Sequence, residues 1–343
     1  MTLYAVDAVG DAFSATREFL FPFDRDRWLR LALIVFFIGG AGSGFNFQAS
    51  SPNVPSSPST PGGPSSAFGV SPDTLVAILL VIAAVVVIFV FAFVFIGSVM
   101  EFVFVEALRS NDVSIRQNFR RYWRRGFRLF GFRLLFGLLT LAVVATPFVV
   151  MFVSFFDGSD PNVGAILGAV FLLIAVVFLV AVIAGVIYGF TTMFVVPIML
   201  VENRGVLSAW RRFWSTLRGQ WKQYALYVLV ELGLSIVAGF GVLLFGLLIL
   251  VILAIPFGLL AGLVLFVGGG FGNLSTVGVV VLGVLAVVFG LSVFVAFLFV
   301  QVPVQTYFRY YALFVLGDTN EVFDLIPDRR MAVRSDEDTP TTG

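Results

Sequence analysis

Residues 75–105 read LVAILLVIAAVVVIFVFAFVFIGSVMEFVFV, a run of 31 positions in which only Glu101 carries an ionisable side chain. A bilayer core of about 30 Å is crossed by about 20 apolar helical residues, so this run is long enough to span a membrane. Comparable apolar stretches occupy five further parts of the chain, at 29–47, 127–156, 163–201, 224–267 and 277–308. The pattern predicts an all-α fold, a polytopic membrane bundle of about six transmembrane helices.

The composition excludes a water-soluble globule. Hydrophobic residues make up 59% of the 343 positions and charged residues only 12%, whereas soluble domains have roughly 45–50% and 25%. The chain also contains no Cys and no His. Disulfides, thiol chemistry, imidazole metal ligands and His-based catalysis are therefore excluded, and we expect no enzymatic activity, metal or cofactor.

The basic residues are distributed in a way that predicts topology. All 21 fall in four regions, at 17–30, 109–133, 204–222 and 309–334. The intervening connections contain none, at 48–74, 157–162 and 268–276. Basic segments remain on the cytoplasmic side of a membrane, so we expect six spans with both termini in the cytoplasm of a prokaryotic cell. Pro256 leaves open a seventh span, because proline interrupts helices.

A short motif recurs and indicates an internal repeat. Arg120-Arg121-Tyr122-Trp123 is matched by Arg211-Arg212-Phe213-Trp214, and each copy precedes an apolar stretch. The predicted units each combine a cytoplasmic amphipathic helix with a transmembrane hairpin. Their expected boundaries are 1–105, including a Pro/Ser-rich outer loop at 48–74, then 106–201 and 202–316, followed by a partly disordered cytoplasmic tail at 317–343.

The repeated motif also supplies candidate lipid contacts. Aromatic residues on one face of an amphipathic helix enter the headgroup region, while arginines on the other face attract lipid phosphates. The candidate headgroup ligands are Arg120, Arg121, Trp123, Arg211, Arg212 and Trp214. A purely anchoring role for these helices remains the alternative, and nucleic acid is not an expected partner.

A second set of candidates consists of polar side chains within the apolar stretches. Glu231 lies ten residues after Trp221, about 15 Å along a helix and hence near the bilayer middle. An ionisable group there costs at least about 2.5 kcal/mol, so Glu231 is either a proton or cation site or a hydrogen-bonding group between helices. Glu101 and Arg133 lie nearer the inner ends of their spans, where they either pair or reach the interface. Gln301 and Gln305, four residues apart, share one helix face and either line a cavity or bond a neighbouring helix.

The third unit resembles a known family. Residues 201–205 (VENRG), 208–214 (SAWRRFW) and 218–221 (RGQW) are similar to the membrane domain of glycerophosphoryl diester phosphodiesterases and of related archaeal and bacterial six-span proteins. The resemblance implies a six-helix membrane domain without an assigned function. The phosphodiesterase activity of that family belongs to a separate His-containing metal domain, which this chain lacks.

Two functional hypotheses remain. The first is a non-enzymatic membrane scaffold or lipid-interacting protein, with anionic headgroups as ligands of the paired arginines. The second is a small carrier or channel with an intramembrane carboxylate site at Glu231. A lipid-modifying enzyme forms a third class, but no nucleophile–base pair supports it.

Overall fold

The computed structural model describes residues 4–41, 71–156, 163–270, 272 and 274–337. All regular secondary structure in these residues is helical, which confirms the all-α class. The α-helices are α1 (Tyr4–Leu20), α2 (Arg25–Ala41), α3 (Pro72–Ser110), α4 (Ile115–Phe156), α5 (Val163–Phe190), α6 (Val196–Glu202), α7 (Val206–Gly219), α8 (Trp221–Val267), α9 (Thr276–Thr319) and α10 (Pro327–Glu337). A π-helix at Thr191–Val195 joins α5 to α6, and a 3₁₀ turn at Glu321–Phe323 precedes α10.

Five helical segments of the described chain are long and apolar enough to cross a membrane. They are Asp73–Ser110, Ile115–Val149, Leu167–Glu202, Trp221–Val267 and Thr276–Thr319. The predicted first span began at Leu29, and α2, a helix of 17 residues that begins at Arg25, covers this span as far as Ala41. Residues 42–47 of that predicted span, and most of the 48–74 loop, lie outside the described residues. Helix α8 continues through Pro256 without a break, so it is one element rather than two.

The protein core lies at the basic end of the bundle. Phe102, Phe104 and Phe194 are fully buried there, while Ile88 and Phe89, farther along α3 toward the outer loop, are both 69% exposed. At 1.5 Å per residue the 39 residues of α3 extend over about 58 Å, well beyond the hydrocarbon thickness. The helices therefore pack at one end and leave their apolar outer parts open to lipid.

The N-terminal helix α1 belongs to this core. Its side chains at Ala5, Ala8, Ala12 and Ala15 recur every three or four residues and are all fully buried. The small face allows close approach to α9, where the Tyr311 hydroxyl donates to the Ala5 carbonyl over 2.9 Å. The small-residue face of α1 therefore packs on protein.

Helices α3 and α4 approach so closely that one position requires glycine. A Cβ atom added to Gly126 would lie 2.8 Å from the Val99 Cα and nearer still to the Val99 side chain. Gly131, on the same helix, has no atom within 4 Å of its Cβ position. The packing therefore permits a larger residue at Gly131 and not at Gly126.

We expect Gly126→Val to destabilise the protein and Gly131→Val to have little effect on packing. Overpacking a tight contact costs about 1–3 kcal/mol, because the Val99 backbone must move. Thermal unfolding of both variants in detergent measures the difference. Equal melting temperatures would show that the α3–α4 contact does not constrain position 126.

Candidate functional site

Glu101 forms the centre of a buried charge cluster. The Arg133 Nη2 donates to its Oε1 over 3.0 Å, and the Arg309 Nη2 binds its other oxygen. All three side chains are at most 2% exposed. Of the two arrangements left open by the sequence, Glu101 and Arg133 adopt the pair, and neither side chain extends to the interface. Because α3, α4 and α9 each contribute one member, the cluster ties three long helices together.

The π-helix supplies the remaining polar partners of the cluster. In its i,i+5 register the Val196 N–H bonds the Thr191 carbonyl, and the next donor would be residue 197. Since Pro197 has no N–H, the Thr192 carbonyl is available to Arg309, whose Nη1 donates to it over 2.5 Å. The Thr192 hydroxyl accepts from Arg133 over 3.0 Å. The π-helix next to Pro197 thus binds both arginines through the carbonyl and the hydroxyl of Thr192.

The cluster contains more positive than negative charge. Two guanidinium groups face one carboxylate, and Arg133 has two nitrogens, Nε and Nη1, without a hydrogen-bond partner among the described residues. Arg309 was assigned from sequence to the inner basic region and was not recognised as a site residue. The signal that could have identified a buried arginine is that aromatic residues flank it on both sides in the sequence Tyr307-Phe308-Arg309-Tyr310-Tyr311.

The two arginine pairs of the repeated motif divide into two roles. The second arginine of each pair binds a carboxylate in the C-terminal part of the preceding helix, Arg121 to Glu106 over 3.7 Å and Arg212 to Glu202 over 3.4 Å. The first arginines, Arg120 and Arg211, are exposed. Their guanidinium groups form no ion pair or hydrogen bond with any residue that the structure describes. Sequence alone treated all four alike.

The tryptophans of the motif lie beside further cations. Trp123 is 49% exposed and Trp214 46% exposed. The Arg124 guanidinium lies 5.9 Å from the ring centre of Trp123, and that of Arg218 lies 5.2 Å from the ring centre of Trp214. Each motif therefore presents a half-exposed aromatic ring with a cation over it.

The aromatic stripe of α7 was predicted to enter the headgroup region as a whole, and that prediction is wrong for part of it. Phe213 is fully buried, and the Trp210 Nε1 donates to the Thr191 hydroxyl over 3.0 Å. The physical reason is that α7 packs on the π-helix, which supplies the stripe with aromatic neighbours. Leu207 and Trp214 remain exposed.

Helix α4 carries an additional row of cations. Four of its arginines recur every four residues and are exposed: Arg116, Arg120, Arg124 and Arg128. Residues four apart occupy one side of a helix, so these side chains form a continuous cationic ridge. The sequence shows the spacing, but only Arg120 was singled out from it.

The intramembrane candidates other than the Glu101 pair do not converge. Glu231 is half-buried and lies beside the Tyr227 hydroxyl, one turn earlier on α8. Gln301 and Gln305 are also half-buried, and they continue at four-residue spacing to Arg309. In the described part of the chain no hydrogen bond or ion pair joins Glu231 to either glutamine. A shared polar cavity therefore stays a prediction.

Helix α10 closes the basic end through ion pairs. Arg334 binds Asp11 of α1 over 2.8 Å and Asp318 of α9 over 2.7 Å, and Arg330 binds Asp318 over 3.0 Å. The hydrogen bonds that Arg334 donates to the Asp318 carboxylate raise the pKa of Arg334, so this guanidinium remains charged. The two ends of the chain are thereby held against each other. No group of three or more acidic side chains that could hold a metal occurs among the described residues.

The described residues form a helical membrane bundle that is packed at its basic end. Residues 3–326 match a family described as "Family of unknown function (DUF7544)". The chain belongs to DUF7544. No curated protein and no solved structure matches it. The match spans both the buried cluster and the exposed arginines, so both lie in the part of the DUF7544 chain that defines the family. The comparisons show no link to the phosphodiesterase membrane domain.

Proposed function

We propose that this DUF7544 protein is a non-enzymatic membrane scaffold that binds anionic lipid headgroups along its inner face. The observation that carries the proposal is that only one arginine of each pair binds a carboxylate of the protein. Arg121 and Arg212 are engaged by Glu106 and Glu202, whereas the exposed Arg120 and Arg211 are available to an external anion.

The surroundings of the free arginines support a lipid as that anion. Each is followed by a half-exposed tryptophan, Trp123 three residues after Arg120 and Trp214 three residues after Arg211. Tryptophan prefers the headgroup level of a bilayer, where one end of the ring is apolar and the other wet. A basic residue near an anionic surface gains about 1 kcal/mol. The other exposed arginines of the α4 ridge add further cations beside Arg120.

The orientation of the protein is part of the same proposal. The four basic regions supply the positive-inside signal, which supports a prokaryotic cell membrane with both termini in the cytoplasm. The matching roles of Arg121 and Arg212 support the repeated units, with α2 and α3 in the first hairpin. The likeness of residues 201–221 to the phosphodiesterase membrane domain is compatible with this architecture.

We expect Arg120→Gln/Arg211→Gln to weaken binding of phosphatidylglycerol about fivefold at each of the two sites. Each arginine contributes about 1 kcal/mol, and 1.4 kcal/mol corresponds to a tenfold change in affinity. Native mass spectrometry of detergent-released protein, titrated with phosphatidylglycerol, measures the bound lipid. Arg17→Gln is the matched control, since Arg17 is an exposed basic residue of α1. Identical titrations for the double variant, the control and the wild type would contradict the proposal.

A carrier function is the second candidate, and one observation favours it. Glu231 is half-buried in an apolar helix beside the Tyr227 hydroxyl, an environment in which carboxylates mark proton or cation pathways. The same mass spectra of Glu231→Gln test it. A co-purifying small molecule lost in this variant would favour a carrier, and spectra with only lipid in both proteins would favour the scaffold.

A further inference from the structure

The buried cluster contains more charge than its carboxylate can balance. Arginine is a permanent cation in proteins, so Arg133 and Arg309 place two positive charges beside the single carboxylate of Glu101. Removing an unbalanced charge from water costs several kcal/mol even after relaxation. An arrangement of two cations and one anion at this depth therefore requires a further negative partner.

Two of the helices that form the cluster carry buried donors without partners among the described residues. Arg133 has Nε and Nη1 free of any bond to a described residue, and its side chain is 2% exposed. The Thr306 hydroxyl, one turn before Arg309 on α9, is also buried without a partner. Buried donors in native proteins are satisfied in nearly all cases. These groups come from α4 and α9, the two helices that supply the arginines.

Glu231 is the other carboxylate within the long apolar stretches. It lies beside Tyr227, and no ion pair joins it to Arg133 or Arg309 among the described residues. A lipid phosphate is too large for the cluster, since Glu101 and both arginines are at most 2% exposed. Size and charge together favour a small monovalent ion.

We propose that the Arg133–Glu101–Arg309 cluster binds one halide-sized inorganic anion, held by the free nitrogens of Arg133 and the Thr306 hydroxyl. The anion neutralises the excess charge and gives the orphaned donors an acceptor. It thereby stabilises the junction of α3, α4, α9 and the π-helix. The site is independent of the exposed arginines that are proposed to contact lipid.

Bromide is the probe for this site, because it is chloride-like and has an anomalous X-ray signal. Crystals of the full chain grown in bromide should show an anomalous peak within hydrogen-bond distance of Arg133. Replacing bromide by gluconate at constant ionic strength should lower the melting temperature by roughly 5 °C, the shift expected when a saturating ligand is withdrawn.

The variants separate this proposal from general salt effects. Arg133→Gln leaves one guanidinium facing one carboxylate, so its melting temperature should be the same in bromide and gluconate. Arg128→Gln, which removes an exposed arginine of the same helix, should keep the full bromide effect. Two results would overturn the proposal. One is a wild type without the peak or the shift, and the other is an Arg133→Gln variant that keeps the bromide dependence of the wild type. Should Arg133→Gln fail to fold, the anomalous map of the wild type decides.

Discussion

Glu101→Gln should be the most damaging single substitution in the chain. It would leave Arg133 and Arg309 buried side by side without a carboxylate. Removing one partner of a buried ion pair costs about 3–5 kcal/mol, because the remaining charge stays desolvated and unpaired. That amount is a large share of the 5–15 kcal/mol by which a native protein is stable. We therefore expect a large loss of folded protein, with α3, α4 and α9 no longer held at one point.

The yield of monodisperse protein after detergent extraction and its melting temperature measure this effect. Glu106→Gln is the matched control, since Glu106 lies on the same helix and pairs with Arg109 and Arg121, whose side chains are 50% and 67% exposed. Exposed pairs contribute about 0–1 kcal/mol. Equal melting temperatures for the two variants would contradict a stabilising role of the buried cluster.

Phe194→Ala should have the second largest effect. Phe194 is fully buried in the π-helix, and its ring centre lies 4.8 Å from that of Tyr227, 5.2 Å from that of Tyr224 and 5.3 Å from that of Phe213. Truncating a buried phenylalanine costs about 3–5 kcal/mol through lost contacts and the cavity that remains. The loss would separate α7 and α8 from the π-helix and so loosen the segment that holds Thr192.

Phe171→Ala provides the comparison for this variant, since Phe171 is 76% exposed on α5 and its ring is free to contact lipid. We expect its melting temperature to stay close to that of the wild type. Thermal unfolding followed by near-UV circular dichroism reports on the packed aromatic rings directly. An unchanged spectrum and melting temperature for Phe194→Ala would show that the aromatic cluster does not maintain the core.

The long apolar segments could be predicted from sequence because a bilayer imposes its thickness on a helix. The stretch after Leu75 and the one after Tyr224 both lie in helices that are long and apolar enough to cross a membrane. The continuity of α8 through Pro256 was left open, since proline permits either a kink or a break. The packing of α1 was missed because its four buried alanines gain their meaning only from the partner helix α9.

The candidate site was predicted in part, and the missing part has a physical reason. Glu101 and Arg133 were singled out because charges within apolar stretches require partners. Arg309 was counted among the inner basic residues, and whether such an arginine is buried depends on contacts with helices far away in sequence. The availability of the Thr192 carbonyl could not be predicted either. It depends on the π-helical register next to Pro197, which exists only in the folded helix.

The roles of the paired arginines could not be separated from sequence either. Arg120 and Arg121 are identical neighbours, and the carboxylate that pairs with only one of them, Glu106, lies four residues before the end of the preceding helix. A turn between helices therefore decides which guanidinium is engaged. The same selection at Arg212 by Glu202 shows that the geometry recurs, and it leaves the first arginine of each motif exposed.

Lipid contact at the free arginines is tested most directly by fluorescence quenching in bilayers. Bromine on an acyl chain quenches tryptophan only near contact, and Trp123 and Trp214 lie half-exposed within three residues of Arg120 and Arg211. Brominated phosphatidylglycerol should quench the wild type more strongly than brominated phosphatidylcholine, and Arg120→Gln/Arg211→Gln should abolish that difference. Equal quenching by the two lipids in the wild type, or an unchanged preference in the double variant, would contradict the proposed headgroup sites.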